Sequence, residues 1–322
     1  MKKIILGLLA ATGLASPTFA QPEAPAAPPA VQQAAPAPAP APACRRRINA
    51  NPAMWQVRDA DTTIYLFGTF HLLDACRDWF NDEVRTAFDA SQELVVEVQL
   101  PESPAEQAAL MQPLLMRLAI DPQGRGILSR LNDQEDAQLR ALLGPATDML
   151  DQAKFEPWFI NLSLTNVAAQ QLGLNPAAGP EAALQAAARQ RNLPIHSLET
   201  IEFQFGIFDG MSDESQLRGL RELLANPNRI RETLQPMLAA WSSGNVDQLA
   251  SILTEGTRDD RATYDALFTN RNATWARWIQ QRLARPGTVF IAVGGGHLGG
   301  PGSVQEQLQR LGIRTARVPA AR

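Results

Sequence analysis

Three histidines have the widest chemical range of any residues in this chain, because imidazole serves as base, acid or metal ligand near neutral pH. His71, His196 and His297 each lie within or just after an apolar, strand-like run. His71 and His297 share the local pattern Gly-x-x-His, which begins at Gly68 and at Gly294. A glycine three residues before a histidine permits a sharp turn off a strand and leaves space for a ligand. The pattern predicts that these two histidines share one site.

The glycine run that contains His297 also has the letters of a dinucleotide-binding motif. Gly294, Gly296 and Gly299 have the G-x-G-x-x-G spacing, but that motif also needs an acidic residue about 20 positions later. No Asp or Glu follows Glu306. We therefore interpret the run as a loop, shaped by Gly294 and Gly296, that presents His297.

Two glutamates near the ends of predicted strands add carboxylates to the candidate site. Glu97 lies among valines in ELVVEV, where a carboxylate is costly unless it is paired or bound to a cation. The alternative is an edge-strand residue that faces water. Glu199 raises the same question after PIHSL. Periodicity alone places Arg271 on a solvated helix face, and His196, which alternates with apolar residues, is interpreted as structural.

The elements that position these residues follow from apolar periodicity. Strands are predicted at 62–71, 93–100, 288–293 and 313–318, with a helix at 78–92, a helix and strand at 179–200, and a helix at 303–312. Residues 104–174 and 213–285 have helical spacing. This order predicts an α/β fold, with a central sheet formed by N- and C-terminal strand units and a large helical insertion between them. Ligand sites of such sheets gather at the carboxyl ends of the strands.

The N-terminal composition predicts an exported protein, periplasmic or secreted. Lys2 and Lys3 precede a short apolar segment that ends in small residues, so residues 1–20 are predicted to be a signal peptide and 21–43 an Ala/Pro-rich disordered linker. The remaining residues, 44–322, are predicted to form one domain. Loss of the two lysines changes the net charge from -4 to -6, which disfavours nucleic acid as a partner. No later run approaches the roughly 18 apolar residues of a transmembrane segment.

Cys44 and Cys76 are the only cysteines. An even number of cysteines in an oxidising compartment favours one disulfide between them. The alternative, a metal-bound Cys76, lacks any Cys-x-x-Cys spacing to support it.

Several segments, in this order, resemble the TraB/GumN family, which includes the TIKI proteins. They are WQVRDADTTIYLFGTFHLL, LVVEV, LPIHSLETIEFQ, NRNATWARWI and the run from VFIAVGGGHLGG to IRTARV. The resemblance extends from about Pro52 to the C-terminus. It implies an α/β fold related to the erythromycin esterase and ChaN-like group, and the TIKI members are metal-dependent peptidases.

The resemblance assigns family positions to six residues of this chain. They are His71, Glu97 and His297 at the motif positions, and Glu199, Arg271 and Asn272 at further family positions. One departure lies at Gly179, which is followed by Pro180 and Glu181, whereas related sequences have an aliphatic residue and then Asp. The departure weakens any role assigned to the acidic position.

These residues predict a hydrolase that acts on a peptide or on another small substrate. In the first interpretation His71, Glu97 and His297 hold a divalent metal of the Zn, Mn or Co class. Glu199 is then a base or a supporting partner, and Arg271, beside Asn272, stabilises the oxyanion.

Two alternatives remain open from the sequence. One is a metal-free hydrolase in which His71 is the general base and Glu97 orients it. The other is a non-catalytic protein that binds a peptide or an envelope component. Neither a His-Glu-x-x-His motif nor a Gly-x-Ser-x-Gly motif is present to decide between them.

Overall fold

The computed structural model describes residues 47–257 and 259–319. The predicted signal peptide, the linker and Cys44 lie outside this range. The strands are β1 (Ile48–Asn49), β2 (Met54–Arg58), β3 (Thr62–Thr69), β4 (Arg77–Asp78), β5 (Glu93–Val98), β6 (Ile195–Glu199), β7 (Gly287–Gly294) and β8 (Thr315–Arg317).

The helices lie mainly between β5 and β6 and between β6 and β7. They are α1 (Asp82–Asp89), α2 (Pro104–Leu118), α3 (Asp133–Leu143), α4 (Ala146–Gln152), α5 (Pro157–Gln171), α6 (Pro180–Gln190), α7 (Ile201–Asp209), α8 (Asp213–Ala225), α9 (Arg229–Ser242), α10 (Val246–Leu253), α11 (Arg261–Tyr264), α12 (Asn270–Leu283) and α13 (Val304–Arg310). A π-helical turn at Asp265–Thr269 joins α11 to α12.

Six strands form one mixed sheet in the order β6-β5-β7-β3-β2-β8. The four strands β6, β5, β7 and β3 are parallel, whereas β2 is antiparallel to both of its neighbours. Strands from the two ends of the chain are therefore adjacent at the centre of the sheet. This confirms the predicted fold class.

Both faces of the sheet are covered, as the apolar composition of its central strands requires. In β7, Phe290 and Ala292 belong to the larger core, which includes the helices of the insertion. Val289 and Ile291 face the smaller core, which contains Trp275 of α12. The alternation shows that α12 crosses the face of the sheet opposite to most of the insertion.

Local signals explain where several helices begin. Asn132 caps α3, and the Glu135 side chain accepts from the Asn132 backbone N–H, which completes a capping box. Thr200 caps α7 directly after β6 ends, and Pro180 occupies the first turn of α6. The chain thus passes from strand to helix within a few residues at the edge where β6 ends.

The predicted elements agree with the structure except in four places. The two-residue strands β1 and β4, the antiparallel strand β2 and the helix α7 were not predicted from the sequence. The apolar residues of α7 have a weak helical pattern, and β2 is short. Both elements are stabilised by tertiary contacts more than by their own sequence pattern.

Two further observations concern membrane spans and cysteines. No helix in residues 47–257 and 259–319 is long and apolar enough to cross a membrane. Cys76 is disulfide-bonded, and the only other cysteine of the sequence is Cys44.

Candidate active site

The candidate site lies at the carboxyl edge of the sheet, where β5, β7 and β3 end side by side. Glu97 lies in β5, His71 follows β3, and His297 lies in a 3-10 turn after β7. A Cβ atom built on Gly294 would lie 3.1 Å from Glu97 Oε1, 3.6 Å from His297 Cδ2 and 3.8 Å from His71 Nε2. The three predicted residues therefore surround one point, and all three are buried.

The predicted loop-shaping glycines provide room for close packing. A Cβ on Gly68 would lie 3.2 Å from Cα of Gly295, and one on Gly296 would overlap the side chain of Leu253. A side chain on Gly294 would fill the centre of the site. None of the three predicted glycines has a positive φ, so their role is spatial and not conformational.

Arg271 connects the acidic residues to His297. Its Nη2 donates to Glu97 Oε2 at 3.0 Å and to Glu199 Oε2 at 2.8 Å, and its Nε donates to Glu199 Oε1 at 2.9 Å. Its Nη1 donates to the carbonyl oxygen of Leu267, in the π-helical turn, at 3.1 Å and lies 3.0 Å from His297 Nε2. All five N–H groups of the guanidinium therefore have partners. Arg271 is only 7% exposed, so the solvated helix face expected from periodicity is wrong.

The contacts of His297 define its tautomer. Because Arg271 has only donors, Nε2 of His297 must accept its hydrogen bond. Nδ1 therefore carries the hydrogen and donates to Asn272 Oδ1 at 2.6 Å. The Asn272 amide is oriented by its Nδ2, which donates to the Gly302 carbonyl oxygen at 2.9 Å. Burial and the charge of Arg271 lower the pKa of His297 to about 3, so the ring is neutral.

Glu97 is held ionised inside the protein. Burial by itself would raise its pKa, but the nearby Arg271 guanidinium, His71 and the backbone N–H of Gly294 lower the pKa to about 2. That N–H donates to Glu97 Oε1 at 2.5 Å. Glu97 lies on β5, between β6 and β7, so the alternative of an edge-strand residue in water is wrong.

Glu199 ends β6 beside Glu97 and accepts from three side chains. Besides Arg271, Trp275 Nε1 donates to its Oε1 at 2.9 Å and Gln204 Nε2 donates to its Oε2 at 3.0 Å. The same Gln204 nitrogen donates to Glu97 Oε2 at 3.2 Å. Gln204 and Arg271 therefore both bridge the two carboxylates.

His71 is held by an acidic residue from the helical insertion. Its Nδ1 forms an ion-pair contact with Glu181 Oε1, at the start of α6. Burial lowers the pKa of His71, but attraction to Glu181 and the hydrogen bond that the ring donates to it outweigh burial and raise the pKa above its ordinary value. A Cβ on Gly179 would lie only 2.5 Å from the His71 carbonyl oxygen, so this turn packs directly against the histidine.

The arrangement does not fit the predicted set of metal ligands. His297 Nε2 is occupied by Arg271, and the guanidinium places a positive charge between His297 and Glu97. A ligating histidine needs a free lone pair, and His297 Nε2 has none while it accepts from Arg271. In the part of the chain that the structure describes, no group of three His, Cys, Asp or Glu side chains could hold a metal ion.

Other predicted roles also change. Arg271 has no free N–H for an oxyanion, and the oxygens of Glu199 are engaged by three donors, so Glu199 is a partner of Arg271 and not a free base. Asn272 contacts His297 and orients it. His196 lies away from the site, with its side chain 55% exposed and Nε2 3.4 Å from Glu93 Oε2.

Sequence reasoning missed two site residues. Glu181 was discounted because Pro180 and Glu181 depart from the expected pattern, although the longer glutamate still reaches His71. Gln204 carries no motif and is brought to the site by α7, the helix that was not predicted. A signal for Glu181 was present, since an acidic residue does occupy that position.

Comparison with known proteins gives one family and two kinds of relative. The sequence profile of the TraB/PrgY/gumN family matches residues 53–317. An uncharacterized protein of Treponema pallidum (strain Nichols) is 24% identical over 270 residues, which cover 80% of each chain.

The uncharacterized protein YbaP of Escherichia coli (strain K12) is 30% identical over 152 residues, and the same figures hold for YbaP of Shigella flexneri. That match covers 47% of this chain and 56% of YbaP. No solved structure matches at a significant level.

Proposed function

This chain belongs to the TraB/PrgY/gumN family, and we propose that it is a metal-independent hydrolase in which His71 is the general base. The observation that carries the proposal is the buried His71 ring, whose Nδ1 is held by Glu181 while Nε2 faces the centre of the site. A base oriented by a carboxylate on its other nitrogen is a recurring arrangement in hydrolases. Glu181 takes the orienting role that the sequence interpretation gave to Glu97.

In this mechanism Nε2 of neutral His71 accepts a proton from water as the water oxygen bonds to the substrate's carbonyl carbon. The imidazolium that forms is stabilised by Glu181 and by the charge of Glu97, the same two groups that raise the pKa of His71. The proton then passes to the leaving oxygen or nitrogen as its bond to carbon breaks. Arg271 holds Glu97 and Glu199 in place and does not contact the reacting atoms.

The substrate class of the proposal is a peptide or an ester, and the proposed location is outside the cytoplasm. Export is supported by the signal-like residues 1–20 and by the disulfide at Cys76. Intact-mass measurement of the protein recovered from its host would show the loss of residues 1–20. A full-length mass would contradict export with cleavage.

The decisive experiment is turnover of a peptide and ester library by protein treated with a chelator. We expect His71→Ala to reduce turnover by about 10²- to 10⁴-fold, the usual contribution of a general base, and Glu181→Gln, which leaves the base in place without its orienting partner, to reduce it by a smaller factor. The matched control is His196→Ala, which removes an exposed histidine outside the site. Turnover that disappears with chelator and returns with a divalent metal would support the metal-dependent peptidase instead.

The pH profile gives an independent test. His71 acts as a base only when neutral, so kcat/KM should rise with pH through the raised pKa of His71. Glu181→Gln removes the main group that raises that pKa, so the rising limb should move to lower pH. A limb that stays in place would show that His71 is not the titrating base.

A further inference from the structure

We propose that the group of the substrate that enters beside His71 is cationic, an ammonium or a guanidinium. The inference rests on the proposed function, because it names the substrate class of the same site. Two independent observations carry it, the balance of charges and the balance of hydrogen-bond donors and acceptors.

The charges of the site leave a negative excess. Three carboxylates, Glu97, Glu181 and Glu199, face one guanidinium, Arg271, and one imidazole, His71. His297 adds no charge, because its Nε2 accepts from Arg271. Even with His71 protonated, one negative charge is uncompensated, and with His71 neutral there are two. An uncompensated buried charge is costly, so this site favours a ligand that brings positive charge.

With His71 neutral, the hydrogen-bond donors of the site are already used. Arg271 has no free N–H, Trp275 Nε1 donates to Glu199, and Asn272 Nδ2 donates to Gly302. Binding of a carboxylate or a phosphate would then require one of these bonds to break. In that state the site offers no free donor to an anion.

The side-chain oxygen of Gln204, in contrast, has no partner within the part of the chain that the structure describes. Gln204 is 1% exposed, and its Nε2 donates to both Glu97 and Glu199. Because both carboxylates only accept hydrogen bonds, the side-chain amide of Gln204 cannot be flipped. The atom without a partner must therefore be Oε1. Among the described residues that oxygen has no hydrogen-bond partner. A buried acceptor without a partner destabilises the protein, and an N–H of an ammonium or guanidinium group would supply the missing partner.

The test compares benzamidine, benzamide and benzoate, three planar molecules of similar size that carry a positive, a neutral and a negative group. Binding is followed in chelator-treated full-length protein by NMR of the imidazole groups, since the chain has three histidines. We expect benzamidine to bind at least tenfold more tightly than benzamide, and we expect no binding of benzoate. Benzamidine should change the NMR chemical shifts of His71 and leave those of exposed His196 unchanged.

Variants at one position make the test specific to the site. Gln204→Met removes the orphan acceptor and should weaken benzamidine binding at least tenfold. Gln170→Met, at an exposed position of α5, is the matched control and should leave binding unchanged. If Gln204→Met does not fold, the comparison of the three molecules in the unchanged protein still decides whether the site prefers a cationic group.

Several results would overturn the inference. They are equal binding of benzamide and benzamidine, any preference for benzoate, and shifts at His71 produced by Mn²⁺ or Zn²⁺ alone while benzamidine has no effect. The assay needs no turnover, so its outcome is separable from the proposed function. Binding of benzamidine together with full activity of His71→Ala would support the cation site and refute the general base.

Discussion

Replacement of Arg271 by Met removes the cation that holds two buried carboxylates. The variant leaves Glu97 and Glu199 without their guanidinium partner in a site that is nearly closed to solvent. Breaking one side of a buried ion pair typically costs about 3–5 kcal/mol. A matched control is Arg277→Met, an exposed arginine on the same helix, α12, which should change the free energy of unfolding by less than about 0.5 kcal/mol.

The pKa of Glu97 gives an independent value for the stability that this ionised carboxylate contributes. Lowering that pKa from 4.5 to about 2 corresponds to about 3 kcal/mol of stability at neutral pH, at about 1.4 kcal/mol per pH unit. A carboxyl group with a depressed folded-state pKa stabilises the protein above its unfolded pKa. That contribution is lost as the pH falls from about 4.5 to about 2.

The assay is urea unfolding of the unchanged protein and of both variants between pH 7 and pH 3. We expect Arg271→Met to be about 3–5 kcal/mol less stable at pH 7 and the gap to narrow below about pH 4.5, because Glu97 then takes up a proton in the unfolded state while the folded unchanged protein keeps it ionised. Adding Glu97→Gln to Arg271→Met should restore part of the loss, because one of the two unpaired charges is then absent. Equal stability of the Arg271→Met and Arg277→Met variants at pH 7 would refute the reasoning.

Two other substitutions test the supports of the site. Gly179→Ala places a Cβ 2.5 Å from the His71 carbonyl oxygen and should destabilise the protein by about 1–3 kcal/mol in urea unfolding. The control is Gly206→Ala, in a helix with open space around it, which should stabilise the protein by about 0.5–1 kcal/mol. A Gly179→Ala variant as stable as the unchanged protein would contradict the close packing at Gly179. Asn272→Ala removes the acceptor of the Nδ1 hydrogen of His297 and should cost about 1–3 kcal/mol. Imidazole NMR should still show the Nδ1–H tautomer of His297, because Arg271 continues to donate to Nε2; loss of that tautomer would mean that Asn272 determines it.

The sequence by itself determined the fold class and the convergence of three of the site residues. Apolar runs in β3, β5 and β7 have few ways to be buried other than as adjacent central strands, and the carboxyl ends of such strands meet at one edge. His71, Glu97 and His297 were placed together on that ground. The glycine pattern also marked the place where these side chains meet, since Gly294 borders all three of them.

Only the tertiary structure decided what each side chain does. The metal-ligand prediction depended on free lone pairs, and these are set by which groups arrive from distant elements. Arg271 comes from α12, Glu181 from α6 and Gln204 from α7. The positions of these helices depend on packing across both faces of the sheet, which no local sequence pattern encodes. The guanidinium of Arg271 occupies His297 Nε2, and for this physical reason residue types that suit a metal form a network of charged hydrogen bonds instead.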